Sequence, residues 1–221
     1  MMHSIESKFF SVVYDENDSD FIELFLSVID STYDSIIRIF HLEINHRKFT
    51  LHVCPDVQSF KRLTGISDDM YQEWMVGFAD YTNENLCLIS PNAVQDRTLE
   101  DMIKVGKHEV IHIALGQMCN PDETDIFISE GVAVAFADQI NIHNLSLENY
   151  PLAGKLTDET YFYENNGYLY SGVYVLHIIK KYGIDTYKQL YMRKEPLDKY
   201  LYEGFEKEAI QSLLHECNIH K

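Results

Sequence analysis

The hydrophobic positions of the chain change rhythm near its middle. Through residues 18–41, Phe21, Leu24, Phe25, Val28, Ile29, Tyr33, Ile36, Ile37 and Phe40 recur at three- and four-residue steps. That spacing puts them on one face of a helix. Residues 48–54 alternate instead and predict a strand, closed by Pro55-Asp56. A short helix is expected over 57–64. Two further strands are expected at 74–79 and 85–90, with the polar run 80–85 between them turning the chain as a hairpin.

From residue 98 onward the pattern is helical. Thr98-Leu99-Glu100-Asp101 has a hydroxyl followed three residues later by an acid, the arrangement that caps a helix start. The helix then runs to Leu115, with Gly116 as its stop. Further helices are expected over 123–139, 167–182 (closed by Gly183), 184–192 and 203–216. These elements predict an α+β fold. An N-terminal helix and a small, mostly antiparallel sheet occupy about 1–97, and a mainly helical lobe occupies about 98–221. No Pro- or Gly-rich linker separates the halves, so they read as two lobes of a single domain.

Composition narrows the partners. The 35 acidic against 18 basic residues leave a formal net charge of -17, which repels phosphate backbones and anionic lipid heads. Nucleic acid and membrane surfaces are therefore not expected as partners. Cys54, Cys87, Cys119 and Cys217 form no CxxC pair, which argues against a cysteine zinc site and predicts reduced thiols. The opening segment lacks a basic stretch followed by a long apolar run, and no apolar stretch reaches the length of a membrane span. The expectation is a cytoplasmic protein.

The candidate chemistry lies in His108-Glu109-Val110-Ile111-His112. On a helix, positions i and i+4 share a face, so both imidazoles can aim at one metal ion. Glu109 lies about 100° further round, within reach of a water there without being forced to ligate. A catalytic zinc takes three protein ligands and keeps one position for water. The best third ligand is Glu130, the lone charge in the apolar run 127–136. A turn bearing Pro121 would let its helix fold back antiparallel. A charge in such a run needs a partner, because burying it alone is costly. No ligand spacing links the remaining histidines, and His177, in an apolar helix, reads as a satisfied core residue.

HEVIH followed by Ser129-Glu130-Gly131-Val132-Ala133 resembles the gluzincin metallopeptidases, the clan of thermolysin and the aminopeptidase-N type enzymes. Glu73-Trp74-Met75-Val76-Gly77 and 86–91 resemble the Trp-x-x-Gly segment and edge strand that precede the zinc helix in small members. The run 168–183, ending Lys181-Tyr182-Gly183, resembles their tyrosine-bearing helix. The likeness covers roughly 48–183 and is densest over 104–137.

The resemblance implies a zincin-like fold with its site between the two lobes and one Zn²⁺ per chain held by His108, His112 and Glu130. It implies hydrolysis of a peptide or protein substrate, with Glu109 as general base toward a zinc-activated water. It also implies a tyrosine donor to the oxyanion, at Tyr168, with Tyr170 as the rival. Residues 85–90 would be the sheet edge on which substrate adds as a strand. Two features depart from the family. Val134 stands where the thermolysin-like branch has an acid that orients a histidine. No Gly-x-Met-Glu-Asn segment occurs, so aminopeptidase specificity does not carry over. The alternative is a zinc-containing regulatory or peptide-binding protein on the same scaffold, without turnover.

Overall fold

A hairpin precedes the first long helix. Its strands are β1 (Met2–Glu6) and β2 (Phe10–Asp15). The hydrophobic pattern did not single it out, because most β1 side chains face solvent and carry no apolar alternation. Tertiary contacts hold it. Asp30 accepts the Lys8 N–H at 2.9 Å, the Phe9 N–H at 3.1 Å and the Ser7 hydroxyl at 2.9 Å, so one carboxylate ties down the whole turn.

The computed structural model describes residues 1–44, 47–119 and 123–218. They divide into two compact units, Met1–Gln117 and Met118–Lys221. The class is α+β.

In the first unit, α1 (Ser19–Ile39) follows the hairpin and leads to β3 (Phe49–Cys54). Helix α2 (Val57–Thr64) comes next and ends at Gly65, whose φ of +75° suits glycine. Strands β4 (Gly77–Asp80) and β5 (Asn85–Ile89) precede α3 (Leu99–Leu115). The sheet order is β1-β2-β3-β5-β4. Pairings β1–β2 and β4–β5 are antiparallel, whereas β2–β3 and β3–β5 are parallel. The expected mostly antiparallel sheet is thus a mixed one. Helices α1 and α2 lie in the connections between parallel strands, which need crossovers rather than tight turns.

The topology also corrects the edge assignment. Residues 85–90 were expected at the sheet edge, but β5 pairs with β3 on one side and β4 on the other. The edge beside β5 is β4, the opposite edge being β1, and β4 starts at Gly77 rather than Trp74. Trp74 sits in the preceding turn, half exposed, where its carbonyl accepts from Arg97 at 3.1 Å.

Phe10, Phe25, Ile29, Tyr33, Leu51 and Leu88 lie in the core of this unit. Helices α1 and α3 touch through a glycine: a Cβ at Gly106 would lie 2.2 Å from Phe25 Cζ. The capping box at the start of α3 forms as expected. Asp101 N–H donates to Thr98 Oγ1 at 3.2 Å, and Thr98 N–H donates to Asp101 Oδ2 at 2.9 Å. The Thr98 hydroxyl, which donates to Asp101 Oδ2 at 2.7 Å, and then the Thr98 N–H hold the Asp101 carboxyl below its usual range. Gly116 differs from expectation. It closes α3 in the right-handed region, φ -56°, so no left-handed stop is formed. Its small size serves packing instead, since a Cβ there would meet Tyr81 Cβ at 2.9 Å.

The second unit carries α4 (Ile126–Phe136), α5 (Glu159–Glu164), α6 (Gly167–Tyr182), α7 (Ile184–Tyr191) and α8 (Phe205–Glu216). Helix α5 was not expected. The proposed Pro121 turn lies outside the described residues. Helices α4 and α6 approach through two glycines: a Cβ at Gly131 would lie 2.5 Å from Val175 Cγ2, and one at Gly172 would lie 2.6 Å from Val134 Cγ1. Gly183 ends α6 at φ +87°. Among the described residues no helix is long and apolar enough to cross a membrane. All four cysteines are free thiols.

His177 on α6 is buried and satisfied, with Nε2 3.2 Å from Tyr202 Oη and 3.6 Å from Glu208 Oε1. Burial lowers its pKa below 6.5 in spite of Glu208, which acts the other way. The unfolded chain therefore binds the proton more readily. The stability that neutral His177 contributes is complete above about pH 6.5 and is lost as pH falls through the folded value. Urea unfolding between pH 7 and 5.5 should show this loss. His177→Gln should flatten the slope by at most about 1.4 kcal/mol per pH unit, the limit for one proton. An unchanged slope would remove His177 as the cause.

Candidate metal centre

Helix α3 supplies two imidazoles. His108 and His112 are buried, and their Nε2 atoms lie 3.0 Å apart. The rings meet edge to face at 4.7 Å between centroids. Four-residue spacing brings them onto one helical face, as the sequence implied. Two ligands at 2.0–2.1 Å in tetrahedral geometry stand about 3.3 Å apart, close to what this pair already adopts.

Glu109 follows His108 and leaves the helix toward the sheet of its own unit. Its Oε1 and Cγ lie against the bare Cα of Gly77. It is close enough to Cys87 on β5 to influence that thiol. A hydrogen bond from Cys54 is nevertheless the largest effect on Cys87 and lowers its pKa, while Cys54 is pushed up.

Helix α4 carries Glu130 among buried neighbours: Phe127, Ile128, Ser129, Gly131, Val132 and Ala133. The Gly131 contact with α6 explains the glycine of the SEGVA segment, since any side chain there would strike Ser171 O at 2.7 Å. Among the described residues, one group of three could hold a metal ion: His108, His112 and Glu130, with ligand atoms all within 4.8 Å of one another.

The tyrosines of the second unit sort by their hydrogen bonds. Tyr170 is buried, donates to Asn149 O at 3.2 Å and accepts from Ser146 N–H at 3.2 Å. Its hydroxyl is committed to holding the segment before α5. Tyr174 does similar work, donating to Pro151 O at 2.9 Å. Tyr168 is only partly buried and packs edge-on against Phe162 at 5.0 Å. Its hydroxyl bonds Tyr163, whose ring lies 6.3 Å away. Burial, Glu159 and Glu130 together raise the pKa of Tyr163. Tyr163 was passed over in the sequence. Its only signal there was membership of a tyrosine-rich stretch.

These roles separate experimentally. Tyr170→Phe should cost about 1 kcal/mol of stability through its lost hydrogen bonds and leave any turnover unchanged. If Tyr168 is the oxyanion donor that the resemblance implies, Tyr168→Phe lowers kcat by about a hundredfold, the scale of a lost donor, without changing stability comparably. Thermal melts and rates on both variants decide it. The reverse pattern would exchange their roles.

No family model and no curated protein matches the chain.

Proposed function

We propose that this chain is a zinc-dependent metallopeptidase of gluzincin type, with one Zn²⁺ per chain and a peptide or protein as substrate. The observation that carries the reading is the grouping of His108, His112 and Glu130, with Glu109 next to the first ligand. Two imidazole nitrogens and one carboxylate oxygen suit zinc and leave a fourth position for water or substrate. The order of the motifs along the chain, HEVIH and then SEGVA, supports the same reading.

When bound, zinc supplies a Lewis acid that makes water acidic near neutral pH and polarises the scissile carbonyl. The chain's own residues do the rest. Glu109 accepts the proton of the attacking water and returns it to the departing amine. Tyr168 donates its hydroxyl to the oxygen on which negative charge develops. Tyr163, bonded to Tyr168, shares that region with Glu130.

The experiment is cleavage profiling of wild type and Glu109→Gln on a broad peptide library. Products made by wild type and absent from the variant support the reading. Equal products from both would falsify it.

A further inference from the structure

Gly77 is the first residue of the edge strand β4, and its φ is not positive, so backbone conformation does not demand glycine there. Space does. A Cβ at Gly77 would lie 2.7 Å from Glu109 Oε1, 2.7 Å from Val105 Cγ1 and 2.9 Å from Glu109 Cγ. Val105 and Glu109 are one turn apart on α3 and form the two walls of the notch that receives the strand. The walls differ in stiffness. The β-branched Val105 side chain is held at χ1, whereas the Glu109 carboxylate is the end of a flexible chain. An intruding methyl group would displace the carboxylate first.

Strand register adds a second observation. Ile89 N–H donates to Val76 O at 2.8 Å, and Gly77 pairs with Leu88. In an antiparallel ladder hydrogen-bonded and non-bonded pairs alternate, so the peptide groups of Gly77 point away from β5 toward the open edge. The same residue thus presents backbone to the edge and its bare Cα to Glu109.

We propose that Gly77 is a positioning residue for Glu109: the missing side chain sets where the carboxylate lies against the edge strand. The catalytic meaning of that position rests on the function proposed above. Gly116 provides an internal comparison. It is also a tight contact between α3 and the β4 end, at 2.9 Å from Tyr81 Cβ, but stands seven residues beyond Glu109, about 10 Å along the helix.

The test uses the full chain as wild type, Gly77→Ala, Gly116→Ala, and Gly77→Ala in a Val105→Ala background. The last variant removes the stiff wall and preserves the experiment if the single variant does not fold. Crystal structures should show the Glu109 carboxylate displaced by about 1 Å or more in the Gly77 variants, and zinc analysis should still find one ion per chain. For the peptide cleaved best by wild type, kcat should fall roughly ten- to a hundredfold, the scale of an ångström's misplacement. Gly116→Ala should lower Tm while leaving kcat per zinc-loaded chain near wild type. An unmoved carboxylate, or equal kcat losses in the Gly77 and Gly116 variants, overturns the proposal. If wild type shows no Glu109-dependent turnover, the peptidase reading fails, and carboxylate displacement alone decides the role of Gly77.

Discussion

Glu109→Gln should retain one zinc per chain and lose turnover by about three orders of magnitude, within the range for removing a general base. The substitution is nearly isosteric. It keeps the side chain in the notch beside Gly77 and Val105, so stability should change little. It removes the one property the proposed chemistry needs, a carboxylate able to hold a proton between attack and departure of the amine. Zinc stoichiometry, melting temperature and rate must be measured on the same preparation. Zinc retained with undiminished turnover would remove Glu109 from the chemistry. Stoichiometric zinc with no turnover even in wild type would favour a binding role for this scaffold.

The second large effect is expected at a ligand. His112→Ala should abolish stoichiometric zinc binding and, with it, hydrolysis. It should also expose how far the metal supports the fold. A ligand that binds only the native state stabilises it by RT ln(1 + [L]/Kd), about 4 kcal/mol at a thousandfold excess over Kd. A chelator should therefore lower the Tm of wild type and leave that of His112→Ala unmoved. A metal that binds only the folded chain favours folding, so its removal favours unfolding. Elemental analysis of protein without a histidine tag measures the first effect and thermal melts the second. An unchanged zinc content in His112→Ala would exclude this residue as a ligand.

Much of the fold was legible in local pattern. Helices α1, α2, α3, α6, α7 and α8 lie within a few residues of where apolar periodicity and capping residues place them. Each except α2, which buries Phe60 alone, buries a stripe along its length, and a stripe leaves a period in the sequence. The capping box of Thr98 and Asp101 was legible for a related reason, since both partners sit within one turn. Strand β1 was not, because it is held by its ladder to β2 and the turn by Asp30, 22 residues beyond Lys8. Helix α4 was expected over 123–139 but spans only Ile126–Phe136, closing where its apolar run 127–136 gives way to Asp138 and Gln139.

The residues of the candidate site divide in the same way. His108, Glu109 and His112 stand out because helical geometry converts a spacing of four into a shared face. Glu130 stands out as a charge in an apolar run. Spacing could not show that the Tyr170 hydroxyl bonds Asn149 and Ser146 while that of Tyr168 bonds Tyr163. Gly77 was visible only as a letter in a family-like segment. Its contact with Glu109 joins residues 32 positions apart, and only folding brings strand and helix together.

The sequence by itself therefore determined the α+β class and the helical frame, and singled out the candidates for ligation and proton transfer, because these follow from periodicity and side-chain chemistry. Tertiary structure alone decided the mixed order of the sheet, the placing of β4 rather than β5 at an edge, the structural role of Tyr170 and the notch for Glu109. Each of those depends on which distant segments pair or touch. That is set by crossover connections and the space between packed elements, and neither leaves a local period.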